Sequence, residues 1–220
     1  MNNDVLLIVL TENSWLYAGL AALLPDMISL QTGFSTCRLP CGAIDAGQVL
    51  IAVDCRIFFR GEWAVFNALK VLRPDATVVW LTQKETGRLF PVESRGDRVL
   101  AQNLDITSLH FGLMRMLLWA EPREDEEYVR SAGLTVMEHC LLPYFVSGLS
   151  MPVISKLTAK SHKTLYIHRL NILAKTGFRQ SVFLQFVCKR NRGLLSIPEL
   201  EHIDKQLVRG NRIECTVSQV

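Results

Sequence analysis

Between Ile154 and Phe178 the chain reads ISKLTAKSHKTLYIHRLNILAKTGF, with seven Lys, Arg or His side chains and no carboxylate. The shortage of acid runs wider than that stretch. Residues 134–192 hold 9 Lys or Arg and one acid, Glu138, for a net charge of +8. Elsewhere the chain is slightly acidic: residues 1–120 are net −1, 121–133 net −3 and 193–220 net −1. The overall +3 therefore comes from one segment, and a localised basic patch is the electrostatic footprint of a module that binds a polyanion.

Other absences narrow the field. No apolar run approaches the roughly 18 residues of a membrane span, so no membrane partner is expected. The start, MNNDVLLIVLTENSW, lacks the basic region of a secretory signal and reads as the first strand of a cytoplasmic protein. The 6 cysteines (Cys37, Cys41, Cys55, Cys140, Cys188 and Cys215) are scattered through apolar segments. Cys37 and Cys41 stand close together, but no second Cys or His pair at zinc-ligand spacing accompanies them, so reduced, buried thiols are expected. No P-loop and no His/Ser/Asp constellation stands at usable spacing, which argues against an enzyme.

What is present is a core. Apolar residues make up 49% of the chain and charged ones 20%, enough for one large or two small domains. In the first 120 residues, buried-type runs alternate with helical spacing. VLLIVL (5–10), ISLQTGF, VLIAV (49–53), TVVWLT (77–82) and RVLAQ (98–102) read as strands. Residues 15–24, 62–72 and a segment capped by Asp105 read as helices. That alternation predicts a parallel sheet covered on both faces. The charged stretch 121–133 is a natural linker. After it only helical patterns follow, over 135–147, 151–158, 161–175 and 180–190; the last part, 193–220, has room for one more short helix.

Ser161 is a good N-cap for the helix inside the acid-free stretch. From there, Leu165, His168, Ile172 and Lys175 share one side, with Leu165 and Ile172 suited to packing. Tyr166, Ile167, Leu170, Asn171 and Ala174 face away, flanked by Lys163 and Arg169, a face suited to a major groove.

The run LTVMEHCLLPYFVSGLSMPVISKLTAKSHKTLYIHRLNILAKTGFR resembles the LuxR-type (GerE-like) helix-turn-helix of bacterial transcription regulators. Its matching pieces are Leu134, Thr135 and Glu138, then Gly148, Leu149 and Ser150, then Ile154, Leu157, Ser161, Lys163, Thr164, His168, Ile172, Lys175 and Gly177. The resemblance implies a four-helix DNA-binding domain. It places Lys163 and Thr164 near phosphates, Tyr166, Ile167 and Leu170 at bases, and Arg169 at the backbone; Lys160 and Lys175 complete the expected contact set. Met137, Pro152 and Thr176 depart from the family pattern, and the base-facing positions are unusually apolar.

A five-fold β/α alternation ahead of such a module resembles the receiver domain of response regulators, doubly wound like flavodoxin. The resemblance implies an acidic pair after strand 1, a phosphoacceptor Asp after strand 3, a Thr or Ser after strand 4 and a Lys after strand 5. Here the chain offers Thr11 and Glu12, then Asp54, then Thr82, then Gln102. Glu12, Asp54 and Thr82 are the remnants of that site. The halved acidic pair argues against Mg²⁺, so no cofactor is expected.

The expected architecture is thus α/β plus all-α. Residues 1–120 form an atypical receiver, 121–133 an acidic linker, 134–192 the helix-turn-helix domain and 193–220 an extension. The expected partner is double-stranded DNA, bound as a homodimer or as a heterodimer with another regulator; RNA polymerase is a further candidate partner. The final receiver helix, with Met114, Leu118 and Trp119, and the apolar cluster FFRGEW (58–63) are candidate partner surfaces.

Overall fold

The computed structural model describes residues 5–35, 46–83, 87, 89–94, 96–118 and 133–191. The linker at 121–132, the extension from 192 onward, Trp119 and the side chain of Leu118 lie outside the described residues. The chain divides into two compact units, residues 1–83 with 94–129, and residues 84–93 with 130–220.

The first unit is built on β1 (Val5–Leu10), β2 (Ile28–Thr32), β3 (Gln48–Asp54), β4 (Thr77–Thr82) and β5 (Arg98–Ala101). They form one sheet in the order β2-β1-β3-β4-β5, every pair parallel. Its helices are α1 (Ser14–Leu23), α2 (Ile57–Arg60), α3 (Ala64–Leu72) and α4 (Ile106–Leu118). The doubly wound α/β arrangement is the one the sequence predicts. β1 and β3 are continuous apolar runs because both of their faces are covered.

Strand residues alternate between two cores. On one face, Leu7, Val9, Leu50, Ala52, Val79 and Leu81 pack with Leu20 and Leu24 near α1 and with Leu113 and Met116 of α4. Met114 also packs against this core rather than standing free for a partner. The opposite side of the sheet carries an aromatic cluster. The Trp80 ring centroid lies 5.2 Å from that of Phe66 and 5.5 Å from that of Phe58, and Phe58 lies 5.3 Å from Trp63. The FFRGEW cluster is therefore not a partner surface: Phe58 and Trp63 are buried core. A short helix, α2, closed by Gly61 at φ 70°, turns those rings inward. Asp97 joins the Trp80 edge to α3, accepting from Trp80 Nε1 at 3.1 Å and from Lys70 Nζ at 2.9 Å.

The second unit holds α5 (Val136–Ser147), α6 (Met151–Thr158), α7 (His162–Thr176) and α8 (Ser181–Arg190). Thr135 and Glu138 form a capping box at the start of α5. Pro152 sits in the first turn of α6, where its missing N–H costs little. Leu141, Leu142, Phe145, Ile154, Leu165, Ile172, Leu184 and Val187 make the core. Thr176 is fully buried there, yet its hydroxyl is satisfied by the Ile172 carbonyl at 2.6 Å. Cys188 is buried too, which pushes its thiol pKa up to about 12.

Phe66 fills the centre of the aromatic cluster, so Phe66→Ala should lower the unfolding free energy by about 3–5 kcal/mol. Urea denaturation followed by tryptophan fluorescence measures it, since Trp63 and Trp80 border the cavity.

Candidate nucleic-acid interface and strand-end pocket

The turn between α6 and α7 fixes the exposed helix. Ala159 caps α6 in the left-handed region at φ 52°, a conformation a non-glycine side chain adopts only at some cost. Ser155 Oγ donates to the Lys160 carbonyl at 2.6 Å and holds the turn closed. Ser161 then caps α7, its Oγ accepting from the Thr164 N–H at 3.1 Å. Lys163 is exposed in the first turn, where the helix dipole already favours anions.

Around α7 the inward and outward sets separate as the periodicity predicts. Leu165, Ile172 and Leu173 are buried, while Tyr166, Ile167 and Leu170 are each about half exposed. Asn171 and Ala174 share that outer face, and His162 extends it at the N-terminal end. The Arg169 guanidinium lies over the Tyr166 ring, 5.2 Å from its centroid, a cation–π contact that fixes both side chains.

Lys175 stands apart from the residues with which the sequence grouped it. Its ammonium donates to Glu138 Oε2 at 2.6 Å, and Glu138 is buried. The spacing placed Lys175 on the inward side of α7; what spacing does not show is that the sole acid of the segment lies opposite it. Lys175 is thus spent on the junction of α5 and α7. Burial works to raise the Glu138 pKa, but the Lys175 ammonium and the Thr135 N–H and hydroxyl outweigh it, leaving the net value lowered.

The carboxyl ends of the parallel strands gather the second constellation. Asp54 is fully buried at the end of β3. Its Oδ2 accepts from the Thr11 hydroxyl at 2.7 Å, and its Oδ1 from the Arg56 N–H at 3.0 Å and from Gln102 Nε2 at 3.3 Å. Gln102 also donates to the Leu81 carbonyl at 3.1 Å and accepts from Gln83 Nε2 at 2.6 Å. Thr82 lies beside this network, with its hydroxyl on the Leu100 carbonyl at 3.3 Å. Glu12 is not brought to Asp54: it pairs with Arg60 at 2.5 Å, in the open.

These residues do not fit a divalent cation. A hard ion wants several anionic oxygens turned toward it. Here one carboxylate is sealed by donors and the neighbouring acid is paired elsewhere. Among the described residues, no group of three His, Cys, Asp or Glu side chains is placed to hold a metal. The sequence marks Thr11 and Gln102 only as departures; their joint role as hydrogen-bond donors to Asp54 appears once the strands align.

No protein-family model and no curated protein matches the chain. Solved structures do. A complex of the two-component response regulator RcsB with DNA aligns over 86% of this chain and 99% of its own, at 14% identity and TM-score 0.58. Two RcsB dimers bound to two parallel DNAs align over the same shares at 14% identity and TM-score 0.56. RcsB from Salmonella enterica serovar Typhimurium, bound to promoter rprA in the presence of phosphomimetic BeF3−, covers 84% of this chain and 98% of its own. It has 14% identity and TM-score 0.55. The fold is that of a LuxR-type response regulator. In the terms of that fold, β1–β5 are the receiver sheet and α5–α8 the helix-turn-helix domain, with α7 in the place of the recognition helix.

Two outcomes check the geometry. Asp54→Ala strands the Thr11 hydroxyl, the Gln102 amide and the Arg56 N–H, and should cost about 2–4 kcal/mol in urea unfolding, with Asp54→Asn costing less. Glu138, with a folded pKa below its ordinary 4.5, contributes stability present above pH 4.5 and lost as the pH falls through the folded value. Glu138→Gln should flatten that acid-side decline, read by circular dichroism against pH. Lys175→Met should cost about 1–2 kcal/mol at neutral pH, an amount reduced by the lysine's partial exposure.

Proposed function

We propose that the chain is a DNA-binding transcriptional regulator, working as a dimer on a pair of half-sites and without a phosphorylation switch. The observation that carries the reading is the outward face of α7. Lys163, Tyr166, Ile167, Arg169 and Leu170 lie on or beside one exposed strip of a capped helix, within a segment of net charge +8. Lys160 and Thr164, at the entry to the helix, complete the contact set. Lys163, Lys160 and the helix N-terminus supply phosphate contacts that set affinity and register, while the central face meets base edges. A single helix of this size reads only a half-site, hence the dimer. The DNA complexes among the structures of the same fold support this reading.

The strand-end pocket supports the absence of a phosphoryl switch. Asp54 has both oxygens engaged and no exposure, and Gln102 occupies the place of the offsetting cation. Attack by a carboxylate on a phosphate sets anion against anion and needs cations to offset the repulsion. The residue ranges 1–120, 121–133, 134–192 and 193–220 serve as receiver-type scaffold, linker, DNA module and extension. The regulator performs no catalysis, works in the cytoplasm and reaches RNA polymerase from its DNA site. No described helix is long and apolar enough to cross a membrane.

One observation favours a second reading. The centre of the α7 face offers few bidentate hydrogen bonds, which suits a co-regulator that binds DNA within a heterodimer, the receiver half docking on another regulator.

Electrophoretic mobility shifts against a genomic fragment pool test the proposal. The wild type should retain shared, roughly palindromic fragments, and Lys163→Ala with Arg169→Ala should weaken binding about tenfold and flatten its salt slope. Treatment with acetyl phosphate should leave both the mass and the DNA affinity unchanged. Recovery of no shared sequence, with binding lost at moderate salt, would move the assignment to the heterodimer.

A further inference from the structure

A helix that reads guanine does so through Arg or Lys, and one that reads adenine through Asn or Gln. The cations near the centre of α7 are otherwise engaged. Arg169 is partly buried and stacked over the Tyr166 ring, and Lys175 is tied to Glu138. Lys163 stands at the first turn, where phosphates are nearest. His168 is turned toward the interior, its Nδ1 buried. What remains outward is Tyr166, Ile167 and Leu170, at 50%, 49% and 47% exposure, with Ala174 beyond them and Asn171 at the margin. On a 3.6-residue helix these positions lie within one strip. An exposed apolar strip at the centre of a basic module is what a water-excluding contact requires, and isolated in solvent it has no purpose of its own.

Major-groove base edges offer one apolar feature to such a strip, the C5-methyl group of thymine, which 5-methylcytosine also carries. We propose that this chain selects DNA through pyrimidine C5-methyl groups, contacted by Tyr166, Ile167 and Leu170 and supplied by thymine. The inference rests on the DNA-binding function proposed above and names the chemistry that its recognition face reads. Arg169 acts as a positioning residue: its stacking on Tyr166 holds the ring flat against the strip while its charge stays beside the backbone. Specificity of this kind rises through excluded water, whereas the phosphate contacts weaken steeply with salt.

The test compares four alternating duplexes of equal length by fluorescence anisotropy with the full chain at two salt concentrations: dA·dT, dA·dU, dG·dC and dG·5-methyl-dC. Replacing thymine by uracil removes only the methyl group. Each lost contact should weaken binding about three- to fourfold, so the uracil duplex should bind roughly tenfold more weakly overall. Ile167→Ala with Leu170→Ala should erase that difference while leaving salt-dependent binding in place. Lys163→Ala should weaken all four duplexes alike. No gain on methylating cytosine, with thymine preferred over uracil, confirms thymine as the source; a matching gain keeps the methyl contact but overturns thymine as its sole supplier. Equal affinity for the thymine and uracil duplexes overturns the proposal while leaving DNA binding intact. Failure to bind any duplex sinks the DNA-binding function itself, and the methyl contact with it.

Discussion

One carboxylate organises the DNA-binding half of the molecule. Glu138 closes the capping box of α5 through the Thr135 N–H at 2.8 Å and at the same time receives the Lys175 ammonium of α7. In a segment with 9 bases and one acid, that acid is not dispersed over the surface but buried at the joint of two helices. A buried charge is tolerable only when its partners are in place, so the contact fixes α7 against α5 rather than adding general stability. With the inner side of α7 pinned at Lys175 and packed through Leu165 and Ile172, the opposite strip has one direction left to face. The exposure of Tyr166, Ile167 and Leu170 follows from that pin.

The strand-end pocket shows the opposite use of a carboxylate. Parallel pairing in register brings Thr11, Asp54, Thr82 and Gln102 to one edge of the sheet whatever their chemistry. An edge of that kind is where doubly wound folds place their sites. Here a threonine hydroxyl, a backbone N–H and a glutamine amide enclose Asp54, so the geometry that gathers a reactive cluster instead gathers a closed hydrogen-bond network. Such a network fixes the ends of β1, β3 and β5 relative to one another, and its value is rigidity.

Much of this was legible in the chain. Continuous apolar runs fixed the strands to within a residue or two, because strands buried on both faces leave little other reading. β4 was placed at Thr77–Thr82, as the sequence suggests, and α6 at Met151–Thr158. The start of α5 was legible too, since Thr135 and Glu138 are spaced as a capping box. What sequence could not supply were partnerships across large separations. Lys175 and Glu138 are 37 residues apart, and Thr11 and Asp54 are 43 apart. FFRGEW misled for a local reason: a four-residue helix ended by a left-handed glycine has too few residues to show a period, yet it turns Phe58 and Trp63 into the core.

The two halves of the DNA-binding surface do different work, and the charge distribution separates them. Cations at the ends of the strip act at long range, attract any duplex and fade with salt. The apolar centre acts only on contact, and it discriminates only where a base edge can exclude water against it. Affinity without specificity is therefore the default of this module, and specificity must be gained by placing two such strips on adjacent turns of the same groove. Because α7 is short and its polar reading capacity small, a second subunit is a physical requirement for useful discrimination rather than an embellishment. A receiver-type half whose strand ends are locked by Thr11, Asp54 and Gln102 suits that requirement, since a rigid scaffold holds a partner without first having to be switched.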